Sequence, residues 1–380
     1  MPVDILDGNT CAAMAARLAR VQCIPVFPVT PQTEQIETFA RWKSEKKWNF
    51  VFNQVESEHS VASAAFGSAI TGARTYTATS SQGLLLMHEM LPIISGSRVP
   101  MVMSLVSRAI SAPITLWPDH NDILAMRDSG WITFVCETNQ EVIDLTIMAF
   151  KISEHKKIML PVLVCMDGFI HSYTRTEVDV PEQRIVDRFL PKPDWEIKLD
   201  VNNPMSLSTP AMGLDYMKFR AQLHRAMLDS LDVIKQTFKE WKQLTGREYD
   251  FVEEYKLDDA KAAIVCIGAN TTIAKSCIDI MRKKGKKVGL LQIMLYRPFP
   301  EKTIREALKK IKNIAVVDQN ICPGMGGILH PEVKAAMYGT GAIVSSYILG
   351  LGGNFVSEKD YEQILEDAIK SKKEVKRWVM

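Results

Sequence analysis

Pro28-Val29-Thr30-Pro31-Gln32-Thr33-Glu34, Val55-Glu56-Ser57-Glu58-His59-Ser60 and Ser107-Arg108-Ala109-Ile110-Ser111-Ala112-Pro113 are the three clusters whose reading decides the fold. Each follows an apolar run that reads as a buried strand, namely Cys23 to Phe27, Asn49 to Phe52 and Met101 to Leu105. A hydroxyl, a carboxylate and a guanidinium are therefore expected on loops beside one sheet.

Working outward, Thr75 to Ala78, Ile132 to Val135 and Pro161 to Cys165 read as further strands. Helical patterns lie between them, for example Ser57 to Gly72 and Asn139 to Ile152, the latter with Val142, Leu145, Met148, Ala149 and Ile152 on one face. Strands alternating with helices predict βαβ units and a parallel sheet over residues 8 to about 175. From Thr174 to Met212 the sequence turns Pro- and Asp-rich without periodicity, which predicts a linker or interaction arm. A long helix follows, with Tyr216, Phe219, Leu223, Met227, Leu231, Ile234, Phe238 and Trp241 spaced by three or four and Gly246 as its C-cap.

A second α/β unit is expected from strands at Ala262 to Gly268, Lys287 to Leu291, Asn313 to Val317 and Ser345 to Leu349. Helices are predicted from Thr271 to Lys284, Pro300 to Lys312 and Glu358 to Lys370. The expected division is thus 1–175, a linker arm with the long helix at 176–250, and 251–380.

Charge excludes one class of partner. Lys plus Arg number 46 against 44 Asp plus Glu, a net +2 that gives no long-range field for a polyanion, so nucleic acid is not expected. The basic run Lys370 to Arg377 reads as a solvated helix end. The first residues lack the basic region of a signal peptide, and no apolar run approaches the ~18 residues of a membrane span, so a cytoplasmic protein with no membrane contact is predicted. Seven cysteines include no C-x-x-C pair; they read as reduced, buried thiols, and no iron-sulfur cluster or other metal is expected on this chain.

Among the residues that carry chemistry, Thr30 precedes Pro31, which pushes it into an extended conformation with its hydroxyl away from the strand axis; it also stands where it helps start a helix near Gln32. Glu58 follows a strand, with Glu56 as its local competitor, and an acid in a first helical turn also favours the helix dipole. Arg108 lies where a strand leaves the sheet, the usual place for ligands in open α/β folds, and its fork can take a carboxylate through two parallel hydrogen bonds or pair with Asp119, Asp122 or Asp128. Trp117-Pro118-Asp119-His120-Asn121-Asp122 invites a metal-site reading, but without a second His or Cys it reads as an acidic turn. Gly83 in Thr79-Ser80-Ser81-Gln82-Gly83-Leu84 opens a helix after a strand, and Gly324, Gly326 and Gly327 read as a tight turn with close packing.

These blocks, with Arg127-Asp128-Ser129-Gly130-Trp131, resemble the alpha subunits of pyruvate:ferredoxin oxidoreductase and its 2-oxoacid relatives, over nearly the whole chain. The resemblance implies a parallel-sheet domain that binds the pyrimidine of thiamine diphosphate, followed by an α/β domain like the C-terminal domain of transketolases. It implies that Glu58 faces N1′ of the aminopyrimidine, that Pro28, Thr79, Gln82 and Gly83 help hold that ring, and that Thr30 and Arg108 meet the substrate's oxygens and carboxylate. Asp119, His120 and Asp122 are implied to lie just behind the site.

Thiamine enzymes of this kind hold Mg2+ and the diphosphate with Gly-Asp-Gly, which this sequence lacks; its only Asp-Gly pairs are Asp7-Gly8 and Asp167-Gly168. The diphosphate site is therefore expected on a beta subunit. Gamma and ferredoxin-like delta subunits with [4Fe-4S] clusters, coenzyme A as co-substrate and ferredoxin as electron acceptor complete what the resemblance implies. The implied reaction is oxidation of a 2-oxoacid, pyruvate first, to acyl-CoA and CO2 in anaerobic metabolism (EC 1.2.7.-). A relative specific for branched-chain or aryl 2-oxoacids, or a non-catalytic scaffold of the same fold, is the alternative.

Overall fold

Apolar runs too short for helices pair into two mainly parallel sheets in the computed structural model, which describes residues 3–195 and 197–380. The first unit runs β1 (Val3–Leu6), α1 (Gly8–Leu18), β2 (Cys23–Val26), α2 (Thr33–Ser44), β3 (Val51–Gln54), α3 (Glu58–Ala69) and β4 (Tyr76–Thr79). It continues through α4 (Gln82–Met87), α5 (Met90–Gly96), β5 (Val102–Ser107), α6 (Asn121–Ala125), β6 (Ile132–Val135), α7 (Asn139–Ser153) and β7 (Val162–Asp167). Then come α8 (Ile170–Tyr173), β8 (Thr176–Asp179), α9 (Gln183–Phe189) and the 32-residue α10 (Leu214–Thr245).

The second unit has β9 (Val252–Tyr255), β10 (Ala262–Cys266), α11 (Thr271–Lys283), β11 (Val288–Ile293), β12 (Leu295–Arg297) and α12 (Glu301–Leu308). It ends with β13 (Asn313–Asp318), α13 (Leu329–Ala336), β14 (Ile343–Ile348), α14 (Glu358–Lys370) and β15 (Lys376–Trp378).

The first sheet has the order β12-β6-β7-β5-β4, and the parallel pair β2-β3 adjoins β4 through the Cys23–Thr75 bridge. The second has the order β15-β14-β13-β10-β11-β9. Central strands β4, β5, β6 and β7 are buried at every residue, as strands covered by helices on both faces must be.

The second of the opening strands differs from its reading. β3 is an edge strand with Val51 59% exposed, and it runs on to Gln54. An apolar run alone does not separate an edge strand from a central one, because the difference lies in which neighbours the chain later supplies. α7 is likewise buried on all sides, including Ile143, Asp144 and Phe150 opposite the expected face. It lies under α1, whose Ala12, Ala13, Ala15 and Ala16 are small enough to let the two helices approach closely. Its buried Asp144 accepts hydrogen bonds from the Arg247 guanidinium and, at 2.6 Å, from the Tyr249 hydroxyl. The end of α10 is thereby tied to the centre of the unit.

Three further differences concern connections. Part of the expected arm is regular, since β8 pairs antiparallel with β1 and α9 follows; a four-residue strand whose partner lies at the other end of the unit leaves no periodic signal. β12, from the second unit, pairs antiparallel with β6 of the first, Leu295 opposite Phe134. The basic run is a helix end only at Lys370: Lys376–Trp378 is an edge strand parallel to β14. Gly246 closes α10 at φ +79°, the left-handed C-cap its position predicted. Six of the seven cysteines are buried, and no disulfide is formed among them. No helix among the described residues is long and apolar enough to cross a membrane.

Candidate active site

After β2 the chain turns outward to β3 and then crosses back to β4 on the other side of β2. The strand order reverses between β2 and β4, and a crevice opens at the carboxyl ends of such neighbouring parallel strands. Thr30 follows β2, Gln82 follows β4 and Arg108 follows β5, so three adjacent strand ends present them together. Gln32 fastens the first of these loops: its amide donates to Ala78 O at 3.1 Å and accepts from Val29 N–H at 3.3 Å. Arg108 completes the crossing, donating from Nη1 to Thr30 O at 2.7 Å and from Nη2 to Gln82 Oε1 at 3.2 Å. Its guanidinium pairs with none of the three acids the sequence offered: Asp122 accepts from its backbone N–H at 3.0 Å, Asp119 bonds elsewhere, and Asp128 is exposed beside Arg127. Burial draws the Arg108 pKa down, while the charges of Asp122 and Glu58 push it back up.

Glu58 is the first residue of α3 and is buried. Ser57, extended and accepting from Ser60 N–H, is its N-cap, and the cap fixes which of the two acids enters the helix. Glu56 remains outside, exposed, with its carboxylate on the Ser60 hydroxyl; that hydrogen bond holds its pKa low. Gly83 faces Glu58 closely. A Cβ at that position would lie 2.5 Å from Thr79 Oγ1 and 2.7 Å from Glu58 Oε1, so glycine is what lets α4 begin there.

Four buried polar atoms in this region have no partner: Thr79 Oγ1, Ser80 Oγ, Gln82 Nε2 and Arg108 Nε. Buried polar atoms are nearly always hydrogen-bonded, and a concentration of exceptions on two adjacent strand ends marks a place where a ligand supplies the missing bonds. Pro28, by contrast, is exposed at the end of β2 and has only a peptide and a ring to offer.

The acidic turn divides its side chains. Asp122 is fully buried behind the site, where desolvation pushes its pKa up to about 7 against the pull of its hydrogen-bond donors. Asp119 accepts from Asn121 N–H at 2.9 Å and from Gly352 N–H of the second unit. His120, neutral because burial pulls its pKa down to about 4, packs its ring against Gly268. The three therefore do not converge on one point.

Thr30 is exposed and lines a cavity of about 720 Å³ with Ile114, Thr115, Leu116, Trp117, Phe169 and Tyr173. Ile110, the other bulky residue of the Arg108 loop, is not part of this wall. Trp117 meets Phe169 edge to face at 4.6 Å, and Phe169 meets Tyr173 at 5.9 Å. Sequence reasoning passed over Phe169 and Tyr173, although Asp167-Gly168 before them carries a signal. Gly168 abuts β5 so closely that a Cβ would lie 2.2 Å from Ser107 O, and Asp167 caps the turn by accepting from Phe169 and Ile170 N–H. The second glycine cluster forms a tight turn: Gly327 packs on Asp318, which accepts from Leu329 N–H at the start of α13.

Two family models match the chain. Residues 14–239 fit the model described as pyruvate flavodoxin/ferredoxin oxidoreductase, thiamine diphosphate-binding, and residues 260–361 fit pyruvate:ferredoxin oxidoreductase core domain II. A pyruvate synthase subunit PorA of Methanocaldococcus jannaschii is 41% identical over 384 residues, covering 99% of this chain and 97% of the relative. The PorA subunit of Methanothermobacter thermautotrophicus is 38% identical over 365 residues, 96% of this chain and 95% of the relative. A ketoisovalerate oxidoreductase subunit VorA of Pyrococcus horikoshii is 40% identical over 368 residues, 96% and 93%. Among solved structures, a 2-oxoglutarate:ferredoxin oxidoreductase from Magnetococcus marinus has the same fold, with a TM-score of 0.72 at 18% identity over 97% of this chain and 65% of that one.

Proposed function

The chain belongs to the pyruvate:ferredoxin oxidoreductase family, and from that membership we propose that it is the alpha subunit of a heteromeric pyruvate synthase acting in the cytoplasm. The reaction is pyruvate plus coenzyme A and oxidised ferredoxin giving acetyl-CoA, CO2 and reduced ferredoxin, and it is reversible. The observation that carries this reading is the arrangement at three strand ends: a buried Glu58 against Gly83, and Arg108 bridging Thr30 and Gln82. For the chain's own division we take 1–175 as the pyrimidine-binding part, 176–250 as the arm with the long helix, and 251–380 as the second α/β part.

The residues fit the aminopyrimidine half of thiamine diphosphate. The unpartnered Thr79 Oγ1, Ser80 Oγ and Gln82 Nε2 and the nearby Glu58 carboxylate offer the donors and acceptors that a flat, polar ring requires. When bound, thiamine diphosphate supplies the electron sink for decarboxylation. Glu58 holds a proton at N1′ of the ring, the task of a buried catalytic carboxyl. The Arg108 guanidinium takes the substrate carboxylate, and the Thr30 hydroxyl donates to a substrate oxygen. Nothing in this chain offers the family's Gly-Asp-Gly for the diphosphate, so a beta subunit supplies it with Mg2+. In the same reading, [4Fe-4S] clusters lie on partner subunits, with gamma and a ferredoxin-like delta completing the complex.

A second reading, preference for 2-oxoisovalerate, is favoured by the 40% identity to the VorA subunit. A steady-state panel on the assembled complex separates them: pyruvate is expected to have the highest kcat/KM, and a preference for 2-oxoisovalerate or phenylglyoxylate moves the assignment. Turnover of no 2-oxoacid at all by an intact complex overturns the reading in favour of a scaffold.

A further inference from the structure

Asp122 joins two strand ends of the site. Its Oδ2 accepts from Ser81 N–H at 3.1 Å, after β4, and from Arg108 N–H at 3.0 Å, after β5. Its Oδ1 accepts from the Ser107 hydroxyl at 2.8 Å and from Ile123 N–H at 2.7 Å. One carboxylate thus uses both oxygens to hold the backbone on which Gln82 and Arg108 are mounted. Ser81 lies at φ +48°, in the left-handed region that a serine occupies only when its surroundings fix it there.

The segment that carries Asp122 is in turn seated on the second unit. His120 N–H donates to Gln319 O at 2.8 Å, Ile321 N–H to Asn121 Oδ1 at 2.9 Å, and Gly352 N–H to Asp119 Oδ2 at 3.3 Å. The Gln319 amide donates to Gly350 O at 3.0 Å and Pro118 O at 3.4 Å, and accepts from Asn270 Nδ2 at 3.0 Å. Gln319, one residue past β13, is therefore the point where strand ends of the second sheet meet the turn behind the first.

We propose that Asp122 and Gln319 are positioning residues for the end of the site that receives the substrate carboxylate: Gln319 seats residues 118–122 on the second unit, and Asp122 transmits that seating to Arg108 and Ser81. The second unit then sets catalytic geometry in addition to stabilising the assembly. The inference rests on the reading of Arg108 given above. It differs from a purely structural staple in its kinetic signature. A staple, when cut, lowers the amount of intact complex and leaves the surviving molecules normal; a positioning contact, when cut, leaves intact molecules with a misplaced arginine.

The test is made on the assembled complex, with rates normalised to intact complex, for Asp122→Asn and Gln319→Leu. Asp122→Asn replaces one acceptor oxygen by an NH2 donor that faces two N–H or O–H donors, and losing charge-assisted bonds of this kind corresponds to about a ten- to hundredfold fall in kcat/KM for the 2-oxoacid. Gln319→Leu acts at one remove, so a fall of roughly threefold or more is expected in the same parameter. Coenzyme A KM stays within about twofold of wild type in both. If Asp122→Asn fails to assemble, Gln319→Leu decides. A 2-oxoacid kcat/KM within twofold of wild type per intact complex, or an equal shift in coenzyme A KM, overturns the proposal. Absence of 2-oxoacid turnover in the wild-type complex instead overturns the functional reading on which it stands.

Discussion

Glu56 and Glu58 stand two residues apart, and the cap at Ser57 sends one outward and the other into the crevice. Glu58→Gln keeps the shape and removes the exchangeable proton, so turnover of the assembled complex falls by about 10² or more, while Glu56→Gln stays within about twofold. The converse result moves the proton-transfer role to Glu56. Arg108→Lys keeps the charge and loses the fork that spans Thr30 and Gln82. The 2-oxoacid kcat/KM then falls by about ten- to a hundredfold, while coenzyme A KM hardly changes; an unchanged kcat/KM removes Arg108 from the carboxylate site. At this scale the sequence was informative about residue types and silent about partners. That Arg108 lay at a strand end was legible, whereas its bonds to Thr30 O and Gln82 Oε1 come from loops 78 and 26 residues away in sequence. Asp122 was legible as part of an acidic turn, as one of three acids offered to Arg108 and, through the resemblance, as lying behind the site; its bonds to the backbone N–H groups of Ser81 and Arg108 were not, because those donors follow two separate strands, β4 and β5.

The elements that sequence periodicity found are those with a continuous apolar signature. β6 and α14 stand at their expected residues, and β10, β11 and β13 within two residues of them. The elements it missed are short strands at sheet edges, β1, β8, β9, β12 and β15, where three or four residues pair with a remote neighbour and leave too short a run for a periodic signal. Close approach between elements is a second feature that single positions conceal. Gly83 at the start of α4 has no unusual neighbours in sequence, yet the space for its Cβ is occupied by Thr79 Oγ1 and the Glu58 side chain. In Gly83→Ala those side chains must move, and overpacking of this degree costs about 1–3 kcal/mol. If they hold the cofactor, the concentration of thiamine diphosphate for half-maximal activity rises by about tenfold or more, while the complex still assembles. An unchanged activation constant places the ring elsewhere.

At the scale of the whole molecule, the site is open on the side where a second chain is expected. Ile114, Leu116, Trp117, Phe169 and Tyr173 are all exposed around the Thr30 cavity, with Ile114 79% accessible. A contiguous apolar wall of this kind, beside buried polar atoms without partners, is what a protein surface shows where another surface is to cover it. The sequence lacks the Gly-Asp-Gly of the diphosphate site. The chain purified alone is therefore expected to oxidise no 2-oxoacid, even with thiamine diphosphate and Mg2+ supplied. Adding the diphosphate-binding subunit is expected to cover the wall, and Trp117, half exposed in the chain by itself, reports this. Tryptophan fluorescence shifts to the blue on mixing as that ring leaves water, and Trp117→Phe abolishes most of the shift. Turnover by the isolated chain refutes the shared-site reading outright. A complex that forms and turns over with no change at Trp117 leaves the shared site standing but locates its partner on another face.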